Sequence, residues 1–323
     1  MKAVQITALG GREVLNVRDV AMPTLRTGQV LIRVCFSGVN FIDVYYREGK
    51  YKTDLPFVPG AEGSGYIAGV GEGVVGFSEG DPVAWYGPLG SCAEYAAVDA
   101  SMVIKISAGI PLSVAAALMM QGITAHYLAH STFPLQEGHT ALVHAAAGGV
   151  GHLLTQMAKR AGARVLATVS SEEKASIAKD AGASEVILYH DVDFDAAARN
   201  LTDGVGVDVV YDGVGKTTFE GSLRSLRPLG MLALYGASSG PVPPFDLSRL
   251  SAMGSLFITR PMSFDYIRPH SKYVERTDAI FAMYQNRVLN VHVDTVFPLE
   301  EAAAAYELLE SRRSKGKILL SLA

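Results

Sequence analysis

The segment Thr140–Lys174, TALVHAAAGGVGHLLTQMAKRAGARVLATVSSEEK, constrains the fold more than any other part of the chain. Ala141–Val143 is short and apolar, the pattern of a strand covered on both faces. Ala146, Gly148 and Gly151 then fill the three positions of a G-x-G-x-x-G turn, with alanine at the first. A helix is expected from about Val150 to Ala161, closed by Gly162 as its C′ residue. Arg164–Val169 is alternating and β-branched enough for a second strand. Glycine alone is weak evidence, because tight turns use it for many reasons. Here strand, turn, helix and strand follow at βαβ distance. That order aims a helix N-terminus and its dipole at an anion, as a dinucleotide pyrophosphate requires. Gly148 lets backbone approach phosphate, and Gly151 lets the helix sit close to the sheet. The competing reading is a plain α/β turn.

The end of the second strand bears on which dinucleotide. An NAD site carries Asp or Glu about 20 residues past the glycines to hold the ribose hydroxyls. This chain has Ser170 and Ser171 there, with Lys174 close behind. A carboxylate at that place would repel a 2′-phosphate; its absence removes that repulsion, and the lysine adds an attractive charge. Glu172 and Glu173 oppose this, although acids in a first helical turn also have an explanation in the dipole. The balance favours NADPH.

With 323 residues the chain is long enough for two domains with cores, and 49% apolar content argues against disorder. A net charge of −4 leaves no electrostatic footprint for nucleic acid or an anionic membrane. Met1–Ile6 has one lysine and no apolar h-region after it, so no signal peptide is expected. The stretch around Val114–Met120 reads as far too short to cross a bilayer. Cys35 and Cys92 cannot form a disulfide framework, and neither lies in a sequence basic enough to activate a thiol. A soluble, cytoplasmic protein is expected.

The first hundred residues read as short strands with frequent turns. Gln29–Phe36 alternates, and glycine and proline punctuate the segments after it, as in an irregular barrel or sandwich. Helix begins near Leu112. After the glycine turn the expected series is a helix at Glu172–Asp180, a strand at Glu185–Leu188 and a helix near Asp195–Leu201. A strand at Val207–Asp212, a helix near Phe219–Leu226 and strands at Gly230–Tyr235 and Leu256–Ile258 complete it. Such alternation implies an α/β fold with a doubly wound parallel sheet. The tail, with helices at Thr277–Asn286 and Leu299–Ser311 and a strand at Lys317–Leu322, is too short for its own core. It is expected to pack on the N-terminal part, making that domain discontinuous.

Six segments carry a family resemblance: Gly38–Tyr51, His144–Gly151, Val209–Gly215, Leu234–Gly240, Phe257–Pro261 and Ser311–Lys317. Over essentially its full length the chain resembles the zeta-crystallin-type quinone oxidoreductases, a zinc-free branch of the medium-chain dehydrogenase/reductase superfamily. The resemblance implies a Rossmann NADPH-binding domain at 123–261 inserted into a GroES-like catalytic domain made of 1–122 and 262–323. It also implies NADPH in a cleft between the domains, a quinone acceptor, and a homodimer in which the strand around Phe257 takes part. Zinc-dependent relatives use a Cys, a Gly-His-Glu and a further ligand. Here those positions read Asn40 and Gly60-Ala61-Glu62, and too few N/S/O ligands remain. No metal is expected, and Glu62 reads as a satisfied carboxylate in a glycine-rich loop.

On the same resemblance Asn40, Tyr45 and Tyr51 line the acceptor site, where their dipoles could stabilise a carbonyl oxygen gaining charge. Tyrosines that merely cover apolar surface are the alternative, and for Tyr46 the preferred one. Gln121 and Thr124 match a segment that reaches the nicotinamide end, although Thr124 could equally be a helix N-cap. Ala146, Gly148, Gly149, Val150 and Gly151 would cradle pyrophosphate. Ser170, Lys174 and Tyr189 match a 2′-phosphate pocket, with Arg312 reaching it from the tail. Ser238, Ser239, Phe257 and Thr259 complete the cofactor set. His144 reads as a core histidine with one nitrogen bonded rather than a proton shuttle. The expected activity is NADPH-dependent quinone reduction. The alternatives are reduction of enone or enal double bonds, and, from another class, a non-catalytic NADPH-binding protein with a structural or RNA-binding role.

Lys174→Ala is expected to raise KM for NADPH at least about tenfold, the worth of one charge contact near 1.4 kcal/mol. KM for NADH should barely move; equal effects on both in steady-state kinetics would remove the lysine from the phosphate pocket.

Overall fold

A computed structural model of the chain describes residues 1–322. It opens with two short antiparallel strands, β1 (Lys2–Gln5) and β2 (Asn16–Asp19). The long strand β3 (Gln29–Gly38) runs into helix α1 (Phe41–Arg47), an element not expected from the sequence. Its signal was present: Asn40 stands at the N-cap, and the Asp43 carboxylate accepts the Asn40 N–H at 3.0 Å, half of a capping box. Strands β4 (Glu62–Val70), β5 (Pro82–Tyr86), β6 (Tyr95–Asp99) and β7 (Val103–Lys105) come next. Helix α2 (Leu112–Tyr127) continues as one π-helical turn to Thr132. Alternation then begins with β8 (Thr140–His144), α3 (Gly149–Arg160), β9 (Arg164–Val169), α4 (Glu172–Asp180) and β10 (Glu185–Leu188). It continues through α5 (Phe194–Leu201), β11 (Val207–Asp212), α6 (Phe219–Ser225), β12 (Leu226–Leu234), α7 (Ser248–Ala252) and β13 (Phe257–Thr259). The tail holds α8 (Ser263–Tyr266), α9 (His270–Gln285), β14 (Val293–Pro298), α10 (Ala302–Glu310) and β15 (Lys317–Ser321).

Two compact units result: residues 1–120, 277–286 and 291–322 form one, and 121–276 with 287–290 form the other. The first is built on a seven-stranded sheet ordered β14-β15-β3-β4-β5-β7, with β6 also on β3. The tail joins it because β15 pairs antiparallel with β3, Leu319 opposite Gly38 and Leu320 opposite Ser37. Ile318, Leu320 and Tyr306 then share a core with Val4, Ile6, Val39 and Val44. A second core lies among Val30, Ile32, Val34, Val83 and Trp85.

The other unit carries a parallel sheet ordered β10-β9-β8-β11-β12-β13. Counted within the unit this is the order 3-2-1-4-5-6 of dinucleotide-binding sheets, with its direction switching between β8 and β11. Leu142, Leu166, Val210 and Leu232, all inaccessible, lie in a core closed by helical side chains such as Leu223. Strands buried on both faces read as continuous apolar runs, which is why these were legible. The return from this unit falls at Thr277, not at Met262 as expected. Residues 262–276 stay with it because the Arg276 guanidinium binds the Tyr266 carbonyl, Ser131 and His126, while Tyr266 stacks on Tyr127 at 4.3 Å.

The expectation that no apolar stretch could span a bilayer is corrected by α2 and its π-turn. Leu112–Thr132 is a 21-residue helical run in which an 18-residue window has a mean hydropathy of 1.3, long and apolar enough by length and composition. Two-thirds of that window (67%) is buried inside the protein, as in the core helix of a globular fold.

A buried polar network braces the carboxyl ends of β8, β9 and β11. The Asp212 carboxylate accepts the N–H groups of Val214 and Gly215 and the hydroxyls of Thr218 and Ser222 at 2.7–3.0 Å. Because Ser222 donates to Asp212, it accepts from His144 Nε2–H at 3.0 Å, which leaves His144 Nδ1 to accept from Thr168 at 2.8 Å. Both ring nitrogens are therefore bonded, rather than one, in a side chain 1% exposed. Burial holds the imidazole below its ordinary pKa, although Asp212 pulls the other way. A folded pKa below the unfolded one means the unfolded chain binds the proton first as pH falls. Stability contributed by neutral His144 is thus present above about pH 6.5 and lost below it, by at most about 1.4 kcal/mol per pH unit. Urea unfolding between pH 7.5 and 5.5 should show that loss in the wild type and a flatter profile in His144→Gln; parallel profiles would count against it.

Candidate functional site

In the unit with the parallel sheet, β8 ends at His144 and the chain turns through Ala145–Gly148 into α3. Ala145 takes φ 51°, a left-handed conformation that costs an L-residue about 1–2 kcal/mol. The turn is held by the Gly148 N–H on the Ala145 carbonyl at 2.8 Å. A Cβ on Gly151 would run into that same carbonyl oxygen, so helix and strand approach this closely only around glycine. A Cβ on Gly148 would lie 3.2 Å from the same carbonyl oxygen, a tight contact rather than a collision, and a glycine there leaves backbone open to the close approach of a phosphate. Helix α3 starts at Gly149, with Gly148 as a side-chain-free N-cap, and directs its first N–H groups into the turn. The Gln121 carboxamide lies against Gly149, and Ala146 is buried beneath the turn. These features fit a pyrophosphate.

Of the residues expected on the adenine side, two come together directly. Val169 and Leu188 are register partners at the ends of β9 and β10, so Ser170 and Tyr189 leave the sheet side by side. The Tyr189 N–H bonds the Val169 carbonyl at 3.3 Å, and its ring is 39% exposed. Ser171 is the N-cap of α4, its hydroxyl accepting the Lys174 N–H at 3.3 Å. That role explains Ser171, and Glu172 and Glu173 then occupy the first turn, where the dipole favours acids. Ser170 and the half-buried Lys174 side chain remain at the strand end.

Other residues separate from this set. Thr124 lies inside α2 and is 8% exposed, which corrects the N-cap alternative. Ser238 and Ser239 come after β12 and fold onto the loop after β11, their N–H groups bonding the Gly213 and Val214 carbonyls. The Ser239 hydroxyl donates to Val214 O at 2.7 Å and accepts the Thr217 N–H, so it clamps the two loops together. Thr259 closes β13 at the carboxyl edge. Phe257, expected among the cofactor residues, opens β13 at the amino end of that strand and is 55% exposed. In a parallel sheet ligands bind at the carboxyl ends, so Phe257 leaves the cofactor set. Arg312 belongs to the other unit, exposed in the turn after α10 at φ 57°.

In that unit α1 carries Tyr45 and Tyr46, and Tyr51 follows it and packs on both. The Tyr51 ring meets Tyr45 and Tyr46 edge-on, each at 5.5 Å, and the Tyr51 N–H bonds the Tyr45 carbonyl at 3.1 Å. Lys50 Nζ stands 5.7 Å from the Tyr45 ring centre. Tyr46 fits the covering role, with burial raising its hydroxyl pKa. Asn40 does not match its expected use. It is 6% exposed, and its Nδ2 donates to Glu62 Oε1 at 2.7 Å and to the Gly38 carbonyl at 3.3 Å. Both amide hydrogens are thus committed inside the protein, and Asn40 serves as the N-cap of α1.

Two residues without an expected role hold this corner. Lys317, 1% exposed, opens β15 and pairs with Glu62 at 2.5 Å. A lysine at the head of the apolar run KILL was the available signal. Asp43, buried, accepts the N–H groups of Asn40 and Gly60 and the Tyr306 hydroxyl. Burial pushes its carboxyl up to about 7, while the Asn40 N–H, the Tyr306 hydroxyl and Lys317 pull it down. Glu62 opens strand β4 rather than sitting in a loop; its second oxygen accepts the Met120 N–H at 2.6 Å, so it is satisfied, as expected. Among the described residues no group of three or more His, Cys, Asp or Glu could hold a metal. Burial raises both thiols, Cys92 to about 12, so neither is an activated nucleophile.

Comparison with known proteins agrees with this geometry. Residues 26–108 match the alcohol dehydrogenase GroES-like domain and residues 149–268 the zinc-binding dehydrogenase family. A quinone oxidoreductase of Pseudomonas aeruginosa is 40% identical over 321 residues, covering 99% of each chain. A 2-haloacrylate reductase of a Burkholderia species is 39% identical over 98% of each. The structure of Escherichia coli quinone oxidoreductase complexed with NADPH superposes with a TM-score of 0.97 at 34% identity, over 99% of this chain and all (100%) of that one. The parallel sheet with its glycine turn, the GroES-like unit and full-length identity to these relatives lead to one assignment: the chain belongs to the quinone oxidoreductases of the medium-chain dehydrogenase/reductase superfamily.

Proposed function

We propose that the protein reduces quinones with NADPH and without a metal ion. The observation that carries this reading is the turn that admits no side chain at Gly151, joined to a β9 end bearing Ser170 and Lys174 in place of an acid. The relatives named quinone oxidoreductase, one of them solved with NADPH, support it. The N–H groups of Gly149 and Val150 hold the pyrophosphate, and Ser170, Lys174 and Tyr189 hold the 2′-phosphate and adenine. Gln121, Thr124, Ser238, Ser239 and Thr259 serve the nicotinamide end. When bound, the cofactor supplies the reducing hydride; the protein contributes binding, orientation and electrostatics. The hydroxyls of Tyr45 and Tyr51 orient the acceptor oxygen and stabilise the charge it gains. A metal has little to bind at the zinc-ligand positions, since Asn40 and Ala61 are poor ligands and Glu62 is already paired with Lys317.

The similarity to a 2-haloacrylate reductase favours a second reading within the same chemistry, reduction of an activated carbon–carbon double bond. Comparing a 1,4-benzoquinone with simple enones at equal NADPH separates the two. Quinone turnover should exceed enone turnover, should be faster with NADPH than NADH, and should survive a chelator. Preference for the enone would transfer the assignment to double-bond reduction, and failure to bind either nucleotide would remove both. A non-catalytic RNA-binding role is disfavoured by the net charge of −4, and NADPH oxidation on adding quinone would exclude a purely structural one. The protein is proposed to work in the cytoplasm, consistent with two unpaired, buried cysteines, and fractionation of the native host checks this.

A homodimer through the parallel-sheet unit is also proposed. β13 is the last strand of its sheet, and Phe257, Leu247 and Met262 are 55–73% exposed. An unpaired edge with apolar neighbours invites a second copy. Sedimentation at twice 34.3 kDa is the expected result; the mass of one chain at micromolar concentration would dismiss the dimer.

A further inference from the structure

We propose that Lys317 is a positioning residue for acceptor reduction, acting through the entrance of α1 on Tyr45. The inference rests on the quinone-reductase reading. The Lys317 ammonium donates to Glu62 Oε1 at 2.5 Å, Asn40 Oδ1 at 2.9 Å and the Val39 carbonyl at 3.3 Å. All three donors are used, and two of the three acceptors belong to the residues immediately before α1. Asn40 closes the ring by donating to the same Glu62 oxygen.

Stability alone does not account for this arrangement. Removing two charges from water costs several kcal/mol per ion, and well-packed apolar residues often serve as well or better. What an ion pair adds is geometric: donors and acceptors fix where the linked backbone lies.

Helix α1 needs such fixing. Its seven residues are too few to hold a helix unaided, so its direction is set by its ends. At the N-terminus stand Lys317 and the Asp43 contacts with Asn40, Gly60 and Tyr306. At the C-terminus Arg47, 1% exposed, bonds Glu310 at 2.8 Å and the Gly10 carbonyl at 3.2 Å. Tyr45 lies on α1, and Tyr51 packs against it. A tilt of about 10° in so short a helix moves a phenol oxygen by about 1 Å, a displacement that can cost a hundredfold in rate. Lys317 touches neither tyrosine; it acts by holding the peptide from which α1 starts.

The test separates neutralising Glu62 from positioning α1. Lys317→Met alone leaves a buried carboxylate unpaired and should lower Tm. Adding Glu62→Gln removes that charge and should restore most of the loss. If Lys317 positions α1, kcat with a benzoquinone stays down about tenfold in the double variant, while NADPH affinity by fluorescence titration is unchanged. Tyr45→Phe added to that background should lower kcat less than twofold further, although in the wild type it costs about as much as the double variant does. A double variant with wild-type kcat, or a full additive effect of Tyr45→Phe, would overturn the proposal. Should the double variant not fold, Lys317→Arg decides. A planar guanidinium has donors enough but cannot aim them as a compact tetrahedral ammonium does, so kcat should fall several-fold at unchanged NADPH affinity, and an unaltered kcat refutes the role. If the wild type reduces no quinone, the functional reading fails by itself. The carboxamide signals of Asn40 in 1H–15N spectra then judge the positioning claim: they should shift in Lys317→Arg, and unmoved signals would end it.

Discussion

Helix α3 leaves strand β8 at a distance that only glycine permits, because any side chain at Gly151 would collide with the carbonyl of Ala145. That contact sets the geometry of the turn before it. The turn lies where the order of the parallel sheet reverses, between β8 and β11, and the loops after β11 and β12 close in beside it. The N–H groups and dipole of a helix start favour an anion at this turn, and no acid stands at the end of β9 to repel one. Fold and cofactor site are in this sense one constraint expressed twice.

Each unit carries, near its proposed binding surface, a buried polar network in which nearly every donor has an acceptor. In the parallel-sheet unit, Asp212 collects the loop N–H groups of Val214 and Gly215 and is backed by Ser222 and His144. In the other unit, Asp43, Glu62, Asn40 and Lys317 tie α1 to strands β3, β4 and β15. Buried polar groups are expensive when unpaired, so satisfied networks admit very few arrangements of the backbone they hold. Such networks provide rigidity where short loops and a two-turn helix could not.

The parallel-sheet unit was legible almost element by element. Its strands are continuous apolar runs between glycine or capping signals, and α4, β10 and β11 fall on their expected residues. That Ser170 and Tyr189 leave the sheet side by side follows from register, because the strand ends Val169 and Leu188 are partners; Lys174 lies further on, in the first turns of α4. The other unit was less legible. Helix α1 is too short for hydrophobic periodicity to reveal, although its capping pair Asn40 and Asp43 was in view. Strand β14 pairs parallel with β15 beside it, and its half-exposed residues give no clear alternation.

The chain by itself determined the class of the fold, the place of the glycine turn, the lean towards a phosphorylated ribose and the poverty of metal ligands, because each depends on residue types at short spacing. Only the tertiary structure decided what Asn40 does, which residue partners Glu62, and to which unit residues 262–276 belong. Those outcomes depend on contacts between residues well separated in sequence, 22 positions for Asn40 and Glu62, 145 for Arg276 and Ser131 and 255 for Lys317 and Glu62. A side chain's role at such a place is set by the neighbours that folding brings to it, and no local pattern encodes them.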